Sequence, residues 1–171
     1  MKKYLIISDT HRNTMRARRV IEKFQGEIDG VWHLGDLSSD MASLTAAYYP
    51  RYPHLAFAGI NGNCDYDPTV PEERLFHVEN CKVFMTHGHR YMAAYSTDFL
   101  AASAREKGAN IVLFGHTHRP LLEEEGGLLI LNPGSLSEPR GGTPYSFAIL
   151  TIDGYKASAK LFDYSTEFPG F

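Results

Sequence analysis

The stretch "NIVLFGHTHRP" (110–120) sets an apolar run of strand length directly against two histidines one residue apart. A short apolar run closed by glycine reads as a buried strand. In extended backbone side chains alternate with period two, so His116 and His118 point the same way. A buried strand that ends in two parallel imidazoles delivers them to something.

The arrangement recurs along the chain. "KYLIIS" (3–8) leads into Asp9 and His11, and "GVWHLG" (30–35) leads into Asp36. "HLAFAG" (54–59) leads into "NGNCD" (61–65), which carries Asn63, Cys64 and Asp65. "KVFMTHG" (82–88) ends in His87 and is followed by His89. Between these runs, "TMRARRVIEKF" (14–24), "SDMASLTAAYY" (39–49) and "STDFLAASAREKG" (96–108) carry helical spacing, with Asn13 or Thr14 capping the first, Pro50 stopping the second and Ser96 capping the third. "RLFHVE" (74–79) and "KVFMTHG" form a hairpin around "NC" (80–81), and "GLLILNPG" (127–134), "PYSFAILTID" (144–153) and "KASAKLFDY" (156–164) read as further strands. Strand–helix alternation in the first half implies parallel strands. The expected fold is α/β: a four-layer α/β/β/α sandwich of two packed β-sheets flanked by helices, with residues 1–171 as one domain.

Composition narrows the function classes. A net charge of −3 argues against a surface built to hold long nucleic acid by counterion release. No apolar stretch reaches membrane-spanning length, and the N-terminal run "YLII" is broken by Ser8, Asp9 and His11, which argues against export. Two cysteines, Cys64 and Cys81, are too few for a disulfide framework, so a reducing cytoplasm is the expected setting.

Five strand ends thus present carboxylates, imidazoles and an amide oxygen at the edge where open α/β sheets place their ligands. Asp9, His11, Asp36, Asn63, His87, His116 and His118 suit a borderline divalent ion such as manganese, iron, nickel or zinc. Seven donors exceed what one ion needs, so a two-metal site sharing a carboxylate is the economical reading. Singly, Asp9, Asp36 and Asn63 would read as turn formers or helix caps; the company of four histidines decides for metal. Asp65 is expected to fix its loop or a ligand histidine, and His33 to be a hydrogen-bonded group in the core or behind the ligands. Arg12 and Arg140 read either as phosphate clamps or as solvated surface residues.

Taken together, "DTH" (9–11), "GD" (35–36), "GNCD" (62–65), "HGH" (87–89) and "GHTH" (115–118) resemble the calcineurin-like metallophosphoesterases in order and spacing. Chain length and the trailing "NPGS" (132–135) are similar to the small bacterial and archaeal phosphodiesterase subfamily, a relative of the retromer subunit with a metallophosphoesterase fold. The resemblance implies that Asp9, His11 and His118 hold one metal, that Asn63, His87 and His116 hold the other, and that Asp36 bridges them. It further implies a phosphodiesterase in which hydroxide held between two divalent ions, manganese favoured, attacks the phosphorus of a small diester in line. The residues expected to carry catalysis are Asp36, Asn63, His87, Cys64 and His89. Many relatives place a histidine after the metal-binding asparagine; here Cys64 stands there, and an unperturbed thiol is a poor general acid. His89 is the alternative donor, and Cys64 reads equally as a small hydrophobe. Other readings are a scaffold or protein-interaction module of the same fold, and a nuclease or phosphoprotein phosphatase. A symmetric homodimer is the base-rate expectation for assembly.

Overall fold

The computed structural model describes residues 1–170, so Phe171, the last residue of the expected domain, lies outside the described residues. Strand β1 (Lys2–Ile7) pairs in parallel with β2 (Gly30–His33), and β2 in parallel with β3 (Ala56–Gly59). Helices α1 (Met15–Phe24) and α2 (Ser38–Tyr48) make the two crossovers. The chain then builds a second sheet from β4 (Glu73–Val78), β5 (Cys81–Thr86), β6 (Ile111–Leu113), β7 (Pro120–Glu125) and β8 (Leu128–Pro133), with α3 (Asp98–Glu106) before β6. Finally β9 (Ser146–Asp153) and β10 (Lys156–Asp163) return to the first sheet, and α4 (Tyr164–Glu167) follows. The strand orders are β10-β9-β1-β2-β3 and β4-β5-β6-β8-β7.

Period-two alternation explains why these runs need covering on both faces. In β1, Leu5 and Ile7 pack with Val20, Ile21, Leu44 and Phe147 under the helices, while Ile6 faces the other sheet with Trp32 and Leu150. In β6, Ile111 and Leu113 join that central layer, and Val112 packs outward with Leu100 and Ala104 of α3. Three apolar layers separate four layers of structure, and each fully buried side chain of this kind contributes about 1.5–3 kcal/mol. The four-layer α/β/β/α sandwich is therefore the observed architecture. Among the described residues, no helix is long and apolar enough to cross a membrane.

Local details depart from the sequence reading. Strand β7 was not expected: it starts at a proline, carries Glu123, Glu124 and Glu125, and lies at a sheet edge, where proline and exposed charge are tolerated. The hairpin turns at Glu79 and Asn80, not at Asn80 and Cys81; Glu79 takes φ 50° and Cys81 is already in the strand. Tyr164 leaves the last strand for α4, which Asp163 caps by accepting from the Ser165 N–H at 2.8 Å. Thr14 occupies the N-cap position of α1 without a side-chain cap bond, its hydroxyl instead accepting from Arg18 Nε at 3.2 Å.

The parallel strands β1, β2 and β3 of one sheet and β5, β6 and β8 of the other run their C-terminal ends to a common edge. The residues that follow those ends form the cluster described next.

Candidate metal centre

Two histidines are aimed by backbone carbonyls. A carbonyl oxygen only accepts, so His87 Nδ1 must donate to Leu34 O at 2.7 Å, and His118 Nδ1 must donate to Glu138 O. In the neutral rings this leaves the Nε2 lone pairs facing the cluster, the orientation in which metal-binding histidines are held. His87 is fully buried and its Nε2 has no hydrogen-bond partner.

The carboxylates meet these lone pairs. Asp9, also fully buried, leaves Oδ1 without a hydrogen bond, 3.2 Å from His118 Nε2, 3.9 Å from His87 Nε2 and 4.0 Å from His11 Nε2. Its other oxygen accepts from His116 N at 3.1 Å. Asp36 Oδ2 lies 3.4 Å from His87 Nε2 and 3.9 Å from His11 Nε2, while Oδ1 accepts from Cys64 N at 2.9 Å. Burial opposes ionisation of both acids. Without an ion, the charged forms of His118 and His87 outweigh it for Asp9, and that of His87 with the Cys64 N–H does so for Asp36; both carboxyls fall below the usual range and both histidines rise above theirs.

On the outer side, Asn63 Oδ1 and His116 Nδ1 lie 2.9 Å apart. His11 and His118 bring their Nε2 atoms to 3.3 Å. Cys64 is exposed, with Sγ close to donor atoms of His11 and Asp36; burial and then Asp36 push its thiol up to about 11. The ring of His89 lies 5.6 Å from that of His87 and 6.1 Å from that of His116, and its buried Nδ1 has no hydrogen-bond partner. Every residue picked out as a ligand or catalytic group from the sequence thus lies in one cluster.

These separations fit a divalent ion. Ligands at about 2.1 Å lie about 3.0 Å apart when adjacent and about 4.2 Å apart when opposite in an octahedral shell. The donor pairs above span 2.9 to 4.0 Å. Buried, unpaired Asp9 Oδ1 and His87 Nε2 are groups that cost free energy unless something satisfies them. The site is a candidate dinuclear metal centre.

Backbone geometry sharpens the cluster. Asp9, His11, Asp36, His116 and His118 all take left-handed φ between 44° and 67°, a region that costs non-glycine residues energy and that concentrates at functional sites. Gly62 leaves room for Asp36: a Cβ there would lie 2.1 Å from Asp36 Oδ1.

A buried network behind the ligands went largely unread in the sequence. Gly35 N donates to His33 Nδ1 at 3.1 Å, so the proton of His33 sits on Nε2, 2.9 Å from Thr10 Oγ1. Thr10 in turn donates to Asp40 Oδ2 at 2.6 Å, which also accepts from Arg12 N at 2.8 Å. Burial holds His33 down to about 4, so it stays neutral. Asp65 fixes its loop, accepting from Asp36 N, Ser38 N and Gly62 N. Ser135 Oγ donates to Asp9 O at 2.8 Å and accepts from Ser137 N and Glu138 N, and Asn132 Nδ2 donates to Gly115 O at 2.8 Å. Asp40 had a legible signal, an acid four residues after Asp36 in the first turn of α2 that is 7% exposed; Thr10 and Ser135 had none beyond their neighbours in sequence. The Arg12 side chain lines a cavity with Arg18, Arg19 and Tyr48, whereas Arg140 shares one with His116.

Comparison with known proteins agrees with this geometry. The model of the calcineurin-like phosphoesterase superfamily domain matches residues 2–155. The probable metallophosphoesterase YsnB of Bacillus subtilis is 32% identical over 160 residues, covering 93% of this chain and 89% of that protein. The phosphodiesterase YfcE of Escherichia coli is 30% identical over 173 residues, covering 90% of this chain and 89% of that one. The crystal structure of a predicted phosphoesterase from Streptococcus pneumoniae superposes with a TM-score of 0.76 at 29% identity, covering 99% of this chain and 94% of that one. The chain belongs to the calcineurin-like metallophosphoesterase superfamily, among its small bacterial and archaeal phosphoesterases, whose fold Vps29 shares.

Proposed function

We propose that this protein is a metal-dependent phosphodiesterase. The observation that carries the reading is the pair of buried, unsatisfied donors, Asp9 Oδ1 and His87 Nε2, facing each other across 3.9 Å inside a shell of further donors. Asp9, His11 and His118 would hold one ion, Asn63, His87 and His116 a second, and Asp36 both, with manganese favoured over nickel, iron or zinc. When bound, two such dications neutralise phosphate charge and lower the pKa of water to about 7.

The chain's own residues do the positioning. Leu34 O and Glu138 O fix the His87 and His118 rings, and Ser135 ties the Asp9 backbone to the loop after β8. The mouth is formed by exposed Asn63 and Cys64 beside part-buried His11 and His116, so a small ester reaches the donors from solvent. Cys64, held neutral, and His89, the unpaired imidazole beside His87 and His116, are the groups within reach for steering a leaving oxygen. The name of the E. coli relative supports a diester substrate.

The test strips the protein of metal, adds back manganese, nickel, iron(II), zinc or magnesium separately, and assays bis(p-nitrophenyl) phosphate beside p-nitrophenyl phosphate. Diester turnover restored by a transition ion and lost in Asp36→Ala is the expected result. Metal binding at two equivalents without turnover of either ester would overturn the reading and favour an interaction module.

A further inference from the structure

Beside the metal centre lies a cavity of about 570 Å³ that the roles assigned so far leave unused. It shares His116 with the centre, so a molecule seated in it abuts the ligand cluster. Its size falls in the range of small-molecule sites, about 300–1,000 Å³.

The lining has two characters. Pro120, Leu121 and Tyr95 offer an apolar and aromatic surface, with Tyr95 87% exposed, and buried Phe114 lies behind them. Arg119 and Arg140 supply two guanidinium groups, and neither has a carboxylate partner among the described residues. Arg51, Arg90 and Arg105, by contrast, are paired with glutamates.

The backbone around the two arginines places them at the cavity. Arg119 rests on Gly141, where a Cβ would come within 2.7 Å of its Nε and 3.0 Å of its Cζ, and Gly141 has φ +67°. Glycine suits that backbone angle, and a Cβ there would require the guanidinium to shift. The backbone of Arg140 donates to His118 O at 3.2 Å, which ties this loop to a metal-site histidine. Two guanidinium groups without a carboxylate partner, in one cavity with the exposed ring of Tyr95, match a flat organic group that carries an anion, because guanidinium binds carboxylate and phosphate in a fork.

We propose that this cavity receives one organic arm of the ester and selects an aromatic arm bearing a second anionic group, held by Arg119 and Arg140. The inference rests on the phosphodiesterase reading for its catalytic meaning, yet the subsite is testable without turnover. A carboxylate and a phosphonate share the chemistry that the two arginines recognise, so both belong in the test.

The experiment uses the full chain. Calorimetry measures binding of phenyl phosphate, 4-carboxyphenyl phosphate and 4-(phosphonomethyl)phenyl phosphate to metal-free protein, to Arg119→Gln and Arg140→Gln, and to Gly141→Ala, which displaces Arg119 without removing it. In parallel, metal-loaded protein is assayed on p-nitrophenyl diesters whose second arm is methyl, phenyl or either charged aryl group. The charged aryl ligands should bind at least about tenfold tighter than phenyl phosphate, and each arginine variant should reduce that ratio by about tenfold, the scale of a charged hydrogen bond. The ratio of kcat/KM for charged-aryl over methyl diesters should fall in step. The larger gain with one acid than the other identifies which anion the site takes. Ratios near one in the wild type, or ratios untouched by the three variants, would overturn the subsite even if all diesters are hydrolysed. Binding that follows the expected order in a protein that hydrolyses none would support the subsite and remove the hydrolase reading.

Discussion

His118 Nε2 lies 3.2 Å from Asp9 Oδ1, and the same imidazole donates through Nδ1 to Glu138 O. One ring thus links a carboxylate at the end of β1 to the loop after β8, which lies in the other sheet. A ligand ion between His118 and Asp9 would therefore cross-link the two sheets at their common edge.

Metal binding should stabilise the fold accordingly. An ion present at about 100 times its Kd adds about 2.7 kcal/mol, which for a chain of this size raises Tm by about 5–10 °C. Thermal melts of chelator-treated protein with and without manganese check this, and Asp36→Asn should remove most of the shift. A metal-induced shift of equal size in that variant would place the ion elsewhere.

Gly62→Ala should damage the site more than the fold. The new Cβ would meet Asp36 Oδ1 at 2.1 Å and the Asp36 backbone nitrogen at 2.8 Å, so the carboxylate must move. Overpacking of this kind costs about 1–3 kcal/mol, and a displaced ligand lowers metal affinity about 10- to 100-fold. Urea unfolding and metal titration, run on the same preparation, read the two effects separately.

The buried His33 predicts a pH dependence of stability. Its folded value is about 4 against 6.5 for the free side chain. Between these values the unfolded chain binds the proton and the folded chain does not. The contribution is therefore complete above pH 6.5 and is lost as pH falls toward 4, by an amount on the order of 3 kcal/mol. Urea unfolding of metal-free protein should show a steeper loss across this window for the wild type than for His33→Gln. Parallel slopes would mean that His33 is protonated in the fold.

Leaving-group dependence tests the substitution of cysteine for an acid. With the Cys64 thiol pushed up to about 11, it donates a proton poorly at neutral pH. Across aryl diesters, kcat should fall at least about threefold for each unit rise in leaving-group pKa. A flat series in the wild type that becomes steep in His89→Ala would instead assign the proton to His89.

How much of this was legible follows from which forces act locally. The four-layer architecture was readable because Leu5, Ile6 and Ile7, or Ile111, Val112 and Leu113, are apolar on both faces and demand cover on each. The cluster was readable because Asp9, Asp36, Asn63, His87 and His116 each come within four residues of a strand end. Strand β7 was not, since Pro120 and three glutamates give it no apolar pattern; only its pairing with β8 makes it a strand. The Gly35–His33–Thr10–Asp40 network was also hidden, because its partners are up to 30 residues apart and meet through hydrogen bonds that leave no periodic trace.

The left-handed backbone at Asp9, His11, Asp36, His116 and His118 sets the metal donors of this chain against its stability. Each of these positions would relax by roughly 1 kcal/mol or more if glycine replaced the donor. Keeping the donors at these positions therefore holds the fold below its own stability optimum. Replacing any one of these donors by glycine should therefore give a more stable chain with a weaker metal site.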